Sequence, residues 1–348
     1  MYSIKQVSEK LNIQANAVRF YEEKGLISPG RGENNYREYS VEDISRLEMI
    51  ILYRKMGFSI EAIGSVMAAH SGDELLNQFV AQYNILNQHI HTMTKVREML
   101  GESIELMLNS CGSRDDILEK MEKTADIITA SNEWEDKWNF DNWASHYDAD
   151  IRRGGQGLDF YVHYDEVICC AAGAAQGKRI VEIGIGTGNL AAEILKRGIR
   201  PEDYTGVDQS VNMLREAGKK CPGIQLRIGT FLQLPLGDNV CDTVISSYAF
   251  HHCSHDEKIL AIAEMDRIAE GHGRIVIADL MFADEKARKE YEEKCSESAK
   301  DVLNDEFFGN ADEIEGMLKA QGYECRHERV DELIWVIWAD KRQSSCNY

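Results

Sequence analysis

Apolar residues are spaced in three different ways along the chain, and each spacing predicts a different kind of structure. In the first seventy residues, apolar stripes such as Ile4, Val7 and Leu11 recur at helical spacing and predict short helices. Between Gly72 and Gly101 the chain holds no Gly or Pro, which predicts one long helix. Further along, short apolar runs alternate with amphipathic stretches, which predicts strands that alternate with helices.

The long helix carries a heptad repeat. Its apolar residues recur in alternating steps of four and three over about four heptads, which favours a coiled coil over an ordinary amphipathic helix. The register is occupied by Phe79, Tyr83, Leu86, Ile90, Met93, Leu100, Ile104 and Met107, with Arg97 in the remaining slot. A coiled coil predicts a dimer, and the alternative is a helix that packs against the chain's own C-terminal half.

From residue 179 onward the pattern predicts a parallel sheet, because strands that alternate with helices form a sheet with helices on both faces. The predicted strands are 179–184, 203–208, 224–229, 241–247 and 273–280, and the predicted helices lie near 189–197, 210–220 and 256–270. Two further apolar runs, 322–330 and 333–338, follow each other too closely for a parallel crossover. We therefore expect this last pair to be antiparallel.

Composition narrows the class of protein. The 348 residues suffice for two domains, and a hydrophobic content of 43% excludes a disordered chain. The sequence has no run of eighteen apolar residues and no basic-then-apolar leader, so we expect a soluble cytoplasmic protein without membrane contact. The nine scattered cysteines contain no Cys-x-x-Cys pair, which predicts free thiols and no metal site.

The net charge of −20 is unevenly distributed. Residues 1–70 hold nine Lys and Arg against nine Asp and Glu, whereas the rest of the chain holds 30 against 50. The acidity therefore lies outside the first segment. Only a local basic surface near the N-terminus can meet the phosphates of a nucleic acid.

The first segment contains a helix-turn-helix pattern, with short helices predicted from Ser3 to Leu11 and from Gln14 to Lys24. More specific stretches follow: Val18-Arg19-Phe20-Tyr21-Glu22-Glu23-Lys24-Gly25-Leu26-Ile27, Pro29-Gly30-Arg31 and Asn35-Tyr36-Arg37-Glu38-Tyr39. Together with a third helix from Val41 to Met56, they resemble the winged helix-turn-helix DNA-binding domain of the MerR family of transcriptional regulators. The resemblance covers residues 1–70.

This resemblance implies a set of DNA-contacting residues. Arginines contact phosphates, tyrosines offer hydroxyls on rigid rings, and residues early on the second helix read base edges. The candidates are Asn16, Ala17, Arg19, Tyr21, Arg31, Tyr36, Arg37 and Tyr39. In the alternative interpretation Phe20, Tyr36 and Tyr39 are core aromatics and the arginines are solvated surface groups. For Phe20 we favour the core.

The same resemblance implies how the chain assembles. The long helix pairs antiparallel with its twin, which makes a two-fold homodimer that reads a pseudo-palindromic operator in double-stranded DNA. Cys111 follows the helix where metal-sensing members of the family keep thiolate ligands. One cysteine does not make a site by itself, so metal sensing is not expected.

A glycine-rich turn carries the chemistry of the C-terminal half. The run Val181-Glu182-Ile183-Gly184-Ile185-Gly186-Thr187-Gly188 links a predicted strand to a predicted helix, and Asp208 closes the next strand. A dinucleotide-binding turn has a glycine at its sixth position, where this chain has Asn189. The pattern instead resembles the first motif of class I S-adenosylmethionine-dependent methyltransferases. The resemblance implies a Rossmann-like fold with a seven-stranded, mostly parallel sheet and an antiparallel last strand.

Roles in binding S-adenosylmethionine follow from this resemblance. Gly184, Gly186 and Gly188 would let the methionine part lie against the turn. Glu182 would face its ammonium directly or through water, and Asp208 would accept from both ribose hydroxyls. Further candidates for the same pocket are Tyr147, Gln209, Met213, Thr230, Phe231 and Ser247. Thr230 stands where the family often has an acidic residue, so the adenine is expected to rest on backbone and on the ring of Phe231.

His251 and His252 are the catalytic candidates, as general bases at the end of the fourth strand. The alternative is a structural role, because methyl transfer needs a base only when the acceptor has a proton to lose. The chain lacks the Asn-Pro-Pro-Tyr motif of enzymes that methylate exocyclic amines of nucleic acids. A small-molecule acceptor is therefore favoured over DNA or RNA.

The sequence predicts four parts: a DNA-binding domain (1–71), a coiled-coil helix (72–110), a linker (111–133) and a methyltransferase domain (134–348). An aromatic stretch just before the sheet resembles a lid-like segment and includes Trp134, Trp138, Trp143 and Tyr147. Three functions remain open. The chain is a regulator that also methylates a small molecule, a regulator whose methyltransferase fold only senses a ligand, or an enzyme whose first domain serves only dimerisation.

Overall fold

The computed structural model describes residues 1–32, 34–108, 118, 143–153, 159–294, 303 and 306–342. The predicted linker (except Leu118), Cys111, Trp134 and Trp138 lie outside the described residues. The chain divides into two compact units, Met1–Glu135 and Asp136–Tyr348.

The N-terminal unit begins with short helices whose ends are set by local hydrogen bonds. They are α1 (Ile4–Leu11), α2 (Ala15–Glu23), α3 (Val41–Lys55) and α4 (Ile60–Ala68). Ser3 and Ser40 form capping boxes at the starts of α1 and α3, and each satisfies a free backbone N–H of the first turn. Asn12 adopts a left-handed conformation between α1 and α2, which makes the tight turn of the helix-turn-helix pair.

A two-stranded hairpin lies between α2 and α3. Strands β1 (Gly30–Arg31) and β2 (Arg37–Glu38) pair antiparallel, and an isolated bridge joins Tyr2 to Tyr39. Val18, Leu47 and Tyr39 belong to the fully buried core beneath the hairpin. A hairpin beside a helix-turn-helix pair is the winged arrangement that the sequence predicted.

The long helix α5 runs from Gly72 to Leu108, 37 residues without interruption. Phe79 packs edge-on against Phe58 with ring centroids 5.7 Å apart, which joins the start of α5 to the winged domain. Beyond this contact, the heptad positions are 40–66% exposed: Leu86, Ile90, Met93, Leu100, Ile104 and Met107. Among the described residues, no helix is both long and apolar enough to cross a bilayer.

The C-terminal unit alternates strands with helices, as predicted. Its helices are α6 (Tyr147–Arg153), α7 (Tyr164–Ala174), α8 (Asn189–Lys196), α9 (Val211–Lys220), α10 (His255–Ile268), α11 (Glu285–Lys294) and α12 (Ala311–Ala320). Its strands are β3 (Ile180–Ile183), β4 (Tyr204–Asp208), β5 (Gln225–Ile228), β6 (Cys241–Ser247), β7 (Ala269–Phe282), β8 (Gly309–Asn310), β9 (Tyr323–Arg329) and β10 (Ile334–Lys341).

The strands form one sheet in the order β5-β4-β3-β6-β7-β10-β9, and β8 pairs with β7 off this path. Strands β3 to β7 pair parallel, whereas β10 runs antiparallel to both β7 and β9. The antiparallel last strand is confirmed. The sheet has eight strands rather than the seven predicted, because a two-residue strand has no alternation for a sequence pattern to detect.

Both faces of the sheet are buried, which is the usual condition of parallel strands. Along β7, Ile275 and Ile277 face the cluster that includes α10 and α12, whereas Val276 and Ala278 face the cluster of α7, α8 and α9. Full burial of one such side chain stabilises a fold by roughly 1.5–3 kcal/mol. The carboxyl ends of β3, β4 and β6 meet at one edge of this buried sheet, where open α/β folds bind ligands.

Candidate functional site

The turn after β3 depends on its three glycines. Gly184, Gly186 and Gly188 have φ of +73°, +54° and +83°, a region that other residues rarely adopt. A Cβ on Gly184 would lie 2.4 Å from Cβ of Ala249, and one on Gly188 would lie 3.2 Å from Cα of Ala217. A Cβ on Gly186 would meet no heavy atom within 4 Å. The middle glycine therefore faces open space, while the outer two pack closely against the protein.

Asp208 is held beside this turn by backbone hydrogen bonds. Its Oδ2 accepts from the N–H of Gly186 at 2.9 Å, and its Oδ1 accepts from the N–H of Ser210 at 2.8 Å. A carboxylate offers about four acceptor positions, and these two bonds fix its orientation. The structure thus brings Asp208 and the glycine turn together at the edge of the sheet, as the sequence predicted.

Phe231 lies on the other side of the turn. Its ring reaches within 4.0 Å of the position of a Gly184 Cβ and packs edge-on against Phe250 at 5.6 Å. Thr230 forms an isolated bridge with Gln233. The contact of the Phe231 ring and of Thr230 with an adenine stays a prediction.

Glu182 is oriented toward the interior rather than toward a ligand. It is 1% exposed and accepts a 2.6 Å hydrogen bond from the hydroxyl of Tyr204. Strand alternation places Glu182 on the same face as Ile180, against the core of α7, α8 and α9. Burial raises the pKa of Glu182 to about 8. The direct contact with a ligand ammonium that the sequence predicted does not fit this position.

The other predicted pocket residues lie near the same edge. Ser247 ends β6 and is half-buried, and Gln209 directly follows Asp208 with a half-buried side chain. Met213 is 2% exposed in the first turn of α9. Their contact with a cofactor stays a prediction.

Aromatic side chains gather beside this edge. Tyr248 adopts φ +50° and stacks on Tyr164 at 5.2 Å and against Tyr161 at 5.1 Å. Tyr147, the fourth tyrosine of the group, packs edge-on against Trp143 at 4.9 Å. Burial raises the pKa of all four tyrosines, so their hydroxyls stay protonated. We call these four residues the tyrosine cluster.

Sequence reasoning missed a polar cluster that ties α6 to the glycine turn. Asp148 accepts from the hydroxyl of Thr187 at 2.6 Å, from the amide of Asn189 at 2.9 Å and from Nζ of Lys220 at 2.5 Å. Burial acts to raise the pKa of Asp148, but these hydrogen bonds hold it below its usual value. No spacing rule links residues so far apart, and Asp148 resembles any other acidic residue of a polar stretch.

The two histidines have different surroundings. His251 is buried, and its Nδ1 lies 2.5 Å from Oδ1 of Asp279. Burial acts to lower the pKa of His251, but the charge of Asp279 outweighs it and raises this pKa. His252 is half-buried, and burial together with His251 lowers its pKa. The Asp279 partner makes His251 a well-anchored residue, and a general-base role for either histidine stays a prediction.

On the N-terminal unit, several predicted DNA-contacting residues are exposed. Asn16, Arg19 and Arg31 are exposed, and Tyr36 is 77% exposed. Arg19 donates to Oδ1 of Asn16 at 3.2 Å, so the two share one surface of α2. Ala17 and Tyr21, also on α2, are half-buried.

Two aromatic predictions on this unit are wrong. Tyr39 is 0% exposed and packs in the core beneath the hairpin, so it is not a DNA contact. Phe20, expected in the core, is 41% exposed, because it faces away from the core residue Val18 on α2. Arg37 forms a 2.5 Å ion pair with Glu22, which uses one of its five N–H donors within the domain.

Comparisons with known proteins agree with both resemblances. The sequence profile of MerR helix-turn-helix regulatory proteins matches residues 2–70, and that of a methyltransferase domain matches residues 181–277. A methyltransferase of Geobacillus kaustophilus is 31% identical over 209 residues, which are 58% of this chain and 95% of that protein. The methyltransferase YrrT of Bacillus subtilis is 32% identical over 213 residues, 58% of this chain and 96% of that protein.

Solved structures match the chain at lower identity. Magnesium protoporphyrin IX methyltransferase of Synechocystis matches with a TM-score of 0.46 and 16% identity, over 60% of this chain and all of that chain. The YcgJ protein of Bacillus subtilis matches with a TM-score of 0.42 and 17% identity, over 51% of this chain and 99% of that chain.

The raised pKa of Glu182 predicts a pH-dependent effect of Glu182→Gln. The groups around this carboxyl are the Tyr204 hydroxyl, the charges of Asp208 and Lys220, and the thiol of Cys221. In the folded protein Glu182 stays protonated up to about pH 8. Its protonation therefore contributes fully to the free energy of unfolding below the pKa that Glu182 has in the unfolded chain, and this contribution is lost as the pH rises through 8. Between the pKa of the unfolded chain and that of the folded protein, the free energy of unfolding falls by roughly 1.4 kcal/mol per pH unit. Glu182→Gln removes this loss and keeps an acceptor for Tyr204.

We expect thermal denaturation to show Glu182→Gln equal to the wild type near pH 5 and more stable at pH 9. The exposed Glu332→Gln serves as the control and should follow the wild type at both pH values. A stability difference that stays constant with pH would contradict the buried, protonated state of Glu182.

Proposed function

The chain belongs to the methyltransferase family through its C-terminal part and carries a MerR helix-turn-helix domain at its N-terminus, and we propose that it joins two activities. As a dimer it binds operator DNA through the first domain. With the second domain it transfers a methyl group from S-adenosylmethionine to a small molecule.

The open face of Gly186 is the observation that carries the methyl-transfer half. At the two neighbouring glycines, the space that a side chain would need is filled by other parts of the protein. The space at Gly186 is free and lies beside the fixed carboxylate of Asp208. Because Gly186 has no side chain, a ligand can approach the backbone closely at this position. This cradle fits a nucleoside whose ribose hydroxyls donate to a carboxylate, with the ring of Phe231 beside the base.

S-adenosylmethionine supplies an electrophilic methyl group on a positively charged sulfur. The protein's contribution is to hold an acceptor in line and to exclude water, since the sulfonium charge disappears as the bond breaks. The tyrosine cluster provides apolar walls with protonated hydroxyls, and the Asp148 cluster holds α6 over the glycine turn. Aromatic walls of this kind suit a small, flat acceptor.

The DNA-binding half is supported by the exposed surface of α2 and of the hairpin. Arg19 and Arg31 carry their charges into solvent, and Asn16 stands at the start of the second helix, where recognition helices read bases. The exposed heptad stripe of α5 supports a pairing of two chains, and the resemblance to the MerR family implies that the paired helices run antiparallel. Two copies of the domain then read the two halves of a pseudo-palindromic operator.

Gly186→Ala tests the cofactor cradle, with Gly198→Ala as a matched control. Both glycines have positive φ, and a Cβ meets nothing within 4 Å at either position. Each variant therefore carries a backbone cost, which is roughly 1–2 kcal/mol for a residue in the left-handed region. Only the Gly186 methyl enters the proposed cradle, where overpacking of roughly 1–3 kcal/mol weakens binding by about 5- to 150-fold.

Isothermal titration calorimetry with S-adenosylmethionine measures this difference. We expect the wild type and Gly198→Ala to bind alike and Gly186→Ala to bind more weakly. Equal affinities of all three proteins, or no binding by the wild type at millimolar cofactor, would rule out the cradle. Mass spectrometry of the products then separates turnover from ligand sensing alone.

Arg19→Ala tests DNA binding, and Lys5→Ala is the control because its side chain is 84% exposed on the neighbouring helix α1. The probe is a duplex of the region upstream of the protein's own gene. Loss of one phosphate contact in each chain of the dimer should weaken binding at every salt concentration and reduce the slope of log affinity against log salt by about two. Unchanged binding by Arg19→Ala would show that Arg19 does not contact the DNA. No binding by the wild type would leave the first domain with dimerisation as its only function.

Ile90→Glu tests the dimer. A charge in the middle of an apolar seam leaves a desolvated carboxylate in each chain, so we expect sedimentation to give the mass of one chain. Ala81→Glu introduces the same charge at an exposed position outside the heptad register and should remain dimeric. A dimeric Ile90→Glu variant would show that α5 does not form the interface.

A further inference from the structure

Two histidines and one glutamate converge at the carboxyl end of β6. Nε2 of His251 lies 3.4 Å from Oε2 of Glu306, and Nδ1 of His252 lies 3.1 Å from the same oxygen. The three candidate ligand atoms lie within 4.8 Å of one another. His251 is 2% exposed and Glu306 is 11% exposed at their side chains, so the cluster is largely shielded from solvent.

We propose that His251, His252 and Glu306 bind a divalent transition-metal ion of the Zn²⁺ type. Two atoms that share one such ion at about 2.1 Å lie roughly 3.0–3.5 Å from each other, depending on the coordination geometry. The two measured separations fall in this range. Two imidazoles and one carboxylate form a donor set that suits Zn²⁺ and its neighbours in the first transition row.

The orientation of His251 supports this assignment. Asp279 is an acceptor only, so the 2.5 Å contact places the imidazole proton on Nδ1 and leaves the lone pair of Nε2 directed to Glu306. The N–H groups of His251 and Leu280 also donate to Asp279, at 2.9 and 2.7 Å, and fix its carboxylate. A histidine that binds a metal through one ring nitrogen usually donates the N–H of its other ring nitrogen to a carboxylate, which fixes the orientation of the ring.

Glu306 is also held in place. The N–H of the next residue, Phe307, donates to the carbonyl of His251 at 3.0 Å, and Nζ of Lys258 donates to the carbonyl of Phe307 at 2.6 Å. Oε2 of Glu306 is buried and faces the ring nitrogens of His251 and His252. A buried carboxylate charge is costly, and a cation bound between this carboxylate and the two imidazoles offsets that cost.

Three protein ligands leave one coordination position for water or for an oxygen or nitrogen donor of a ligand. An arrangement of this kind is typical of reactive rather than purely structural sites. Ala249, which contacts the glycine turn, precedes His251 by two residues, so the proposed ion lies close to the methyl-transfer edge. The metal proposal does not depend on methyl transfer, because its tests measure binding of the ion alone.

The test uses the full chain, freed of metal by a chelator and titrated with Co²⁺ and Zn²⁺. We expect one equivalent of Co²⁺ with the visible bands of nitrogen and oxygen ligands, and at least tenfold weaker Zn²⁺ binding by His252→Ala and by Glu306→Gln. His255→Ala is the matched control, because His255 is 64% exposed and lies outside the cluster. It should bind like the wild type.

Equal Zn²⁺ affinity of the wild type and both cluster variants would overturn the proposal. A Co²⁺ spectrum with thiolate charge-transfer bands in all proteins would overturn it too, because it would place the ion on cysteines. X-ray absorption of the Zn²⁺-loaded wild type requires no variant to fold. Two imidazoles and one carboxylate in its ligand shell would support the site, and sulfur ligands would refute it.

Discussion

The hydrogen bond from the Gly186 backbone to Asp208 is the interaction on which the arrangement of the candidate site depends. It joins the ends of two neighbouring parallel strands, β3 and β4, at the edge where an open sheet binds ligands. The bond forms only because the turn adopts positive φ, and the outer glycines are required because their neighbours leave no room for a side chain. A carboxylate and a bare stretch of backbone are thereby fixed side by side before any ligand arrives.

Other contacts extend this edge in two directions. On one side, the Asp148 cluster connects α6 to the turn through Thr187, Asn189 and Lys220, so the position of the tyrosine cluster follows the position of the glycines. On the other side, Ala249 packs against Gly184 and leads into the histidines. Because the two groups share the turn, a change of its backbone shifts both the aromatic walls and the histidine pair.

The sequence predicted the parts of this structure that depend on local periodicity. Buried strands and the glycine turn have signatures within a few residues, and the strands, their order of alternation and the antiparallel β10 agree with them. Tyr39 and Phe20 were assigned wrongly because both lie in one aromatic, basic stretch, where spacing alone does not separate the core from the surface. The hydrogen-bond partners of His251 and of Lys220 come from elements that are distant in the sequence, and only folding brings them together.

The distribution of charge constrains how such a chain recognises DNA. A first segment with no net charge, attached to a strongly acidic remainder, gains little from the general attraction between a basic protein and phosphates. In the proposed dimer, affinity must then come from a few well-placed groups on α2 and the hairpin of each chain. A protein of this design binds non-specific DNA weakly, so a larger share of its affinity depends on base contacts and on the spacing that the long helix α5 sets. The acidic remainder therefore favours a regulator with selective binding over one with strong binding to any DNA.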